Sequence, residues 1–270
     1  MLAQRLITAA LGIPVIVGVI LLGGIVYAIV AGAILALASL EFCALADRSD
    51  ESRPLWRPRP LALTAAAGVG LIVAGAEAGI DEWSGAIAAA VALTLVVAML
   101  RADPPRDFAS WVAAATAVAY VGFLGSHVVL LRDLDDGARW VLLAVLGTWA
   151  TDTFAYAAGR LFGRVKLAPR ISPGKTLEGT AAAMIGGFAS VFALGMVLDL
   201  PMSTAELVLL CVVFPPFAVI GDLAESFVKR GAGVKDTSDL VPGHGGFLDR
   251  LDSLLFTVPL VYYFAIWVVL

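Results

Sequence analysis

Nine predominantly apolar runs of roughly 16 to 24 residues follow one another along this chain, and at ~1.5 Å per residue each can cross a ~30 Å hydrocarbon layer as a helix. They cover residues 6–22, 24–45, 61–78, 85–100, 108–131, 139–159, 180–198, 205–223 and 254–270. Hydrophobic residues make up 60% of the 270 positions and charged ones 15%, far more apolar material than a soluble domain of this length needs for its core. The expected fold is an all-α integral membrane protein, a polytopic bundle of about nine transmembrane helices. Arg5 precedes the first run as in a signal peptide, but no clear small-x-small cleavage site follows, so the run reads as a membrane helix. No Ser/Gly linker or fixed-period repeat divides the chain, and residues 1–270 read as one transmembrane domain.

Basic residues set the orientation. Alternate loops starting from the N-terminus hold 16 of the 18 Lys and Arg, and the opposite side holds only Arg132 and Arg139. By the positive-inside rule the N-terminus is cytoplasmic and the C-terminus is not. A basic loop that binds phosphate would give the same asymmetry, yet without the last two basic loops the count still stands at 7 to 2. Cys43 and Cys211 fall near opposite leaflets in this topology, out of disulfide reach, and no Cys/His spacing supports zinc.

Most polar residues inside the runs have an ordinary explanation. Glu41 and Glu77 lie near helix ends, where a carboxylate reaches headgroup water. His127, beside Ser126, reads as a satisfied interfacial residue, and Trp83, Trp111, Trp140, Trp149 and Trp267 read mostly as interfacial anchors and packing. Asp152 is different. It lies about half a helix from the cytoplasmic end, where an unpaired carboxylate costs ~3 kcal/mol or more, so it needs a partner or water. It belongs either to the active site or to a hydrogen bond between helices.

The sixth run leads into a loop that continues Ile171-Ser172-Pro173-Gly174-Lys175-Thr176-Leu177-Glu178-Gly179. Gly-Lys-Thr resembles the end of a phosphate-binding loop, but position 169 is Pro where such a loop has Gly, so a Walker A assignment fails. What remains is a flexible turn presenting Lys175, Arg170 and two hydroxyls to an anion at a helix start.

Charge is densest from Ser226 to Asp252, with eight ionisable side chains around a Pro-Gly-His-Gly-Gly run. Ionisable residues at a membrane boundary are costly, which marks the segment as functional. If the eighth helix continues past Pro215 and Pro216, then Asp222, Ser226 and Lys229 share one face. Asp249 and Asp252, spaced i, i+3 at the start of the last helix, also point together. Between them the glycine-rich stretch 231–246, with Lys235, Asp236 and His244, can wrap close to a ligand. Carboxylates from two helices flanking a basic glycine-rich loop suit a Mg²⁺-nucleotide site, because Mg²⁺ takes one or two protein carboxylates plus substrate phosphates.

The pattern Ser226-x-x-Lys229-Arg230-x4-Lys235-Asp236-x5-Pro242-Gly243-His244-Gly245-Gly246-x-x-Asp249-Arg250-x-Asp252 closely resembles the signature of the phosphatidate cytidylyltransferases. Ser172-Pro173-x-Lys175-Thr176-x-Glu178-Gly179 resembles that family's upstream motif, with Gly174 standing where the family often has a charged residue. Asp152 and Tyr156 fall where the family carries a polar helix. The resemblance covers roughly the last 120 residues, with the site region at about 150–253.

This resemblance implies a multi-pass protein of the inner (plasma) membrane, with an active site facing the cytoplasm that converts CTP and phosphatidate to CDP-diacylglycerol and pyrophosphate. It implies Mg²⁺ or Mn²⁺ as the metal, with K⁺ as a candidate second cation, and a homodimer; no nucleic-acid partner is expected. Asp222 and Asp249 are then the metal ligands, and Lys229, Arg230 and His244 complete the catalytic set. Ser172, Lys175, Thr176, Glu178, Ser226, Lys235, Asp236, Arg250, Asp252 and Asp152 would bind substrate or order the loop. A phosphate monoester is already an anionic nucleophile, so His244 is expected to position rather than to remove a proton. The alternatives are a CTP-dependent lipid kinase and, from another class, a cation transporter; against the latter, no inverted repeat shows in the hydropathy.

Overall fold

Each apolar run folds as a helix in the computed structural model, which describes residues 2–46, 59–101, 104–238, 240 and 245–270, the side chains of 2–9 and 104–106 excepted. Arg48, Arg53, Arg57, Pro242, Gly243, His244 and the side chains of Arg5 and Arg106 lie outside the described residues. Among the described residues eight helices are long and apolar enough to cross a membrane, and Ala10–Leu22 is a shorter apolar helix. Cys43 and Cys211 are both buried.

The chain divides into two compact units. The first comprises Met1–Asp133 with Ala232–Leu251, and the second Leu134–Gly231 with Asp252–Leu270.

In the first unit, α1 (Leu2–Leu22), α2 (Gly24–Ala46), α3 (Pro60–Ala78) and α4 (Ile80–Arg101) follow in order. The fifth span is α5 (Pro104–Ala117) and α6 (Leu124–Asp133), joined by a π-helical stretch over Val118–Phe123. Small residues let these helices approach closely, as expected where lipid removes the hydrophobic drive between them. A Cβ on Gly75 would sit 2.8 Å from Ala86 Cβ, and one on Gly68 would sit 3.0 Å from Ala90 Cβ. His127 is fully buried rather than interfacial: its Nδ1 lies 2.9 Å from Phe123 O, and its ring meets Trp83 and Phe123 edge-on. Trp83 Nε1 donates to Ser126 Oγ at 2.9 Å. Four residues close this unit as α10 (Leu248–Leu251), which packs on α2.

In the second unit, α7 (Gly137–Phe162) leads to an antiparallel hairpin of β1 (Lys166–Ala168) and β2 (Ser172–Thr176), then α8 (Leu177–Val197) and α9 (Thr204–Gly231). The unit ends with α11 (Leu254–Phe264) and a π-helical stretch over Ala265–Val269. α7 and α8 pack extensively against each other. At their hairpin end Gly159 and Gly179 face each other so closely that a Cβ on Gly179 would lie 2.7 Å from Ala155 O.

Arg132 and Arg139, the two basic residues expected on the sparse side, have structural partners. Arg132 Nε donates to Ile20 O at 2.8 Å, satisfying a carbonyl at the end of α1, and its guanidinium fills the space beside Gly23, whose φ is 67°. Arg139 pairs with Asp136 at 3.2 Å and donates to Asp199 O. The two exceptions to the charge asymmetry thus secure helix ends.

Candidate active site

In the second unit, α7, the hairpin and α9 bring distant residues together. The expected flexible turn is instead strand β2, which holds Lys175 in extended backbone against β1. Its end is tied twice. Thr176 caps α8, its Oγ1 accepting from Gly179 N at 3.1 Å, while the Glu178 carboxylate accepts from Val165 N on the approach to β1. These two residues, expected to contact substrate, thus fix the junction of the hairpin with α8. Ser172 opens the same strand, and from α9 Arg230 Nε donates to Ile171 O at 3.3 Å.

Held this way, Lys175 Nζ lies 2.8 Å from Asp222 Oδ2. α9 runs through Pro215 and Pro216 without interruption, so the shared face expected from the spacing forms: Ser226 Oγ donates to Asp222 Oδ1 at 3.4 Å. Lys229 is held on a neighbouring position of that helix by Glu225, at 2.6 Å, with Glu225 fully buried. Glu225 was missed from the sequence; its i, i+4 spacing to Lys229 was the available signal.

Asp252 and Ser253 form a turn rather than part of a continuous last helix, so the expected i, i+3 alignment of Asp249 with Asp252 does not arise from helix periodicity. Gly221 permits the turn to press on α9, since a Cβ there would lie 2.8 Å from both Asp252 O and Ser253 Cα. Ser253 donates its N–H to Asp252 Oδ1 at 2.7 Å and its hydroxyl to Asp152 Oδ1 at 3.4 Å. Asp152 thus has its polar partner, and it also feels the charges of Asp252, Asp222 and Lys175. Lys175 is thus paired with one carboxylate and lies in the field of others, and a phosphate can draw the lysine away from Asp222.

The first unit carries a second arrangement. Asp249 Oδ2 accepts from Thr237 N at 2.9 Å, Thr237 Oγ1 at 2.8 Å and Gly246 N at 2.8 Å. Gly245, with φ of 80°, turns the chain where a Cβ would stand 2.6 Å from that oxygen. Glu41 does not reach headgroup water: it is fully buried near the end of α2, because Thr237, Ser238, Phe247 and Leu248 close over it. Its carboxylate accepts from Thr237 Oγ1, Ser238 Oγ, Phe247 N and Leu248 N at 2.6 to 3.1 Å. The sequence offered no signal for this, since the partners lie 196 to 207 residues away. Lys235, Asp236 and Arg250 are exposed in this unit.

The donor types fit a hard divalent cation, for which one or two carboxylates completed by phosphate oxygens suffice. Among the described residues no three His, Cys, Asp or Glu side chains converge as a closed metal cage.

A family model described as "Cytidylyltransferase family" matches residues 3–268. Among curated proteins, a phosphatidate cytidylyltransferase of Staphylococcus aureus (strain COL) is 32% identical over 261 residues, 95% of this chain and 96% of the relative. One from Thermotoga maritima is 39% identical over 168 residues, 59% of this chain and 61% of its own. Another, from Staphylococcus epidermidis, is 43% identical over 145 residues, and there the chain spans about half of the relative's length, 55%.

Proposed function

This chain belongs to the cytidylyltransferase family, and from that footing we propose that it transfers the cytidylyl group of CTP to phosphatidate, forming CDP-diacylglycerol and pyrophosphate. The observation that carries the reading is the Lys175–Asp222 pair at 2.8 Å. It sets an ammonium suited to phosphate beside a carboxylate suited to a hard cation, within a chain whose family match runs nearly end to end.

In the reaction a phosphatidate phosphate oxygen attacks the α-phosphorus of CTP. The new P–O bond forms as the bond from the α-phosphorus to the bridging oxygen breaks, and pyrophosphate leaves with that electron pair. A phosphate monoester needs no strong base for this attack, so the protein's work is positioning and charge stabilisation. Lys175 would exchange Asp222 for a phosphate oxygen, leaving Asp222 able to hold a metal. Lys229 stays oriented by Glu225, and Arg230 by the hairpin. Asp249, its orientation set by Thr237 and Gly246, would serve as a metal carboxylate. Bound Mg²⁺ would neutralise charge on the triphosphate.

Incubating the purified protein with phosphatidate and α- or γ-labelled CTP tests the reading. Label entering lipid from the α position alone supports it. Label from γ alone would mean a lipid kinase, which the family match does not favour, and label from neither would leave no transferase. Repeating the assay with Mn²⁺, and with and without K⁺, tests the cation assignments. The chain is a membrane protein; that it lies in the plasma membrane with its site toward the cytoplasm, as a homodimer, belongs to the same proposal and rests on the 16-to-2 distribution of basic residues and on the family resemblance.

A further inference from the structure

We infer that Glu41 is a positioning residue for this reaction, holding the signature segment from α2 and acting through Thr237 on Asp249. The inference rests on the cytidylyltransferase reading for its kinetic part and on geometry alone for its structural part. Thr237 Oγ1 lies 3.1 Å from Glu41 Oε2 and 2.8 Å from Asp249 Oδ2. A hydroxyl has one proton, so the two carboxylates share a single donor, and what happens at one is felt at the other. Glu41 also takes Ser238 Oγ at 2.6 Å on one side, and Phe247 N and Leu248 N at 3.1 and 2.8 Å on the other. It therefore holds Thr237 and Ser238 together with Phe247 and Leu248. Gly246 leaves room for this, since an added Cβ would collide with Thr237 Oγ1 and both Glu41 carboxylate oxygens. Glu41 is 0% exposed. A carboxylate this deeply buried persists where its acceptor sites are filled, and here four donors fill them.

The experiment compares Glu41→Gln, Thr237→Val and Thr237→Ser in the full-length protein. Gln keeps the volume but turns an NH₂ toward N–H and O–H donors; Val removes the shared hydroxyl; Ser restores it. For Glu41→Gln and Thr237→Val, kcat should fall roughly ten- to hundredfold with KM for CTP changed less than about threefold, and half-saturating Mg²⁺ should rise. Thr237→Ser should stay within about threefold of the parent. The double variant Glu41→Gln with Thr237→Val should be no worse than about threefold below the poorer single one, because both act through one hydroxyl. Hydrogen exchange supplies the readout independent of activity: amides of Gly246, Phe247 and Leu248 should lose protection in Glu41→Gln while those of α3 keep theirs. If the parent protein makes no CDP-diacylglycerol, the functional reading falls, and the exchange arm still decides the clamp. Unchanged exchange at residues 246–248, or losses in Glu41→Gln and Thr237→Val that multiply, would overturn the inference.

Discussion

Removing the charge of Lys175 while keeping its stem, as in Lys175→Met, separates a binding role from a structural one. Lys175 and Asp222 are 19% and 34% exposed at their side chains and 2.8 Å apart. A partly solvated pair of this kind contributes at most about 1 kcal/mol to stability, so the thermal midpoint should move by roughly 2–4 °C or less. Against a triphosphate the same ammonium makes a charge-assisted contact worth ~1.5–3 kcal/mol. At 1.36 kcal/mol per decade this predicts a roughly ten- to hundredfold loss in kcat/KM. The assay is incorporation of α-labelled CTP into lipid, with the midpoint read on the same detergent-solubilised sample. A kcat/KM within about threefold of the parent would refute the reasoning and reduce β2 to a connector.

Asp222→Asn should abolish turnover yet leave the helices intact by circular dichroism, since Asn loses the anionic oxygen that Mg²⁺ prefers; activity recovered at ordinary Mg²⁺ would remove Asp222 from the metal site. Glu225→Gln leaves the Lys229 ammonium, 13% exposed, without its carboxylate, and should destabilise by about 3 kcal/mol in a thermal or denaturant melt. A change below about 0.5 kcal/mol would show the pair to be solvated. For topology, Leu240→Cys and Asp135→Cys occupy exposed positions on opposite sides of the expected membrane. On a background lacking Cys43 and Cys211, an impermeant thiol reagent should label the first only from the cytoplasmic side and the second only from outside; the reverse pattern inverts the orientation.

What the sequence determined by itself was whatever is local along the chain. A run such as 61–78 must become a helix because its own length and apolarity decide that, and α3 occupies Pro60–Ala78. The face bearing Asp222 and Ser226 was legible for the same reason, being one helix's periodicity. The signature from Ser226 to Asp252 likewise carried the family, because it is a linear pattern. Tertiary structure decided which distant groups meet. Nothing near Lys175 in sequence announces Asp222, and nothing near Glu41 announces Thr237 or Leu248. Glu41 near a helix end reads as interfacial under any local rule, because local rules assign the space beyond a helix end to water and headgroups. Here folded chain occupies that space and supplies four donors. The turn at Asp252–Ser253 was hidden for a related reason: helix propensity runs through it, and it is the close approach that Gly221 permits that gives the turn its place against α9. Hydrophobic length and spacing are properties of one segment, whereas the satisfaction of a buried carboxylate depends on donors that only the folded chain can bring to it.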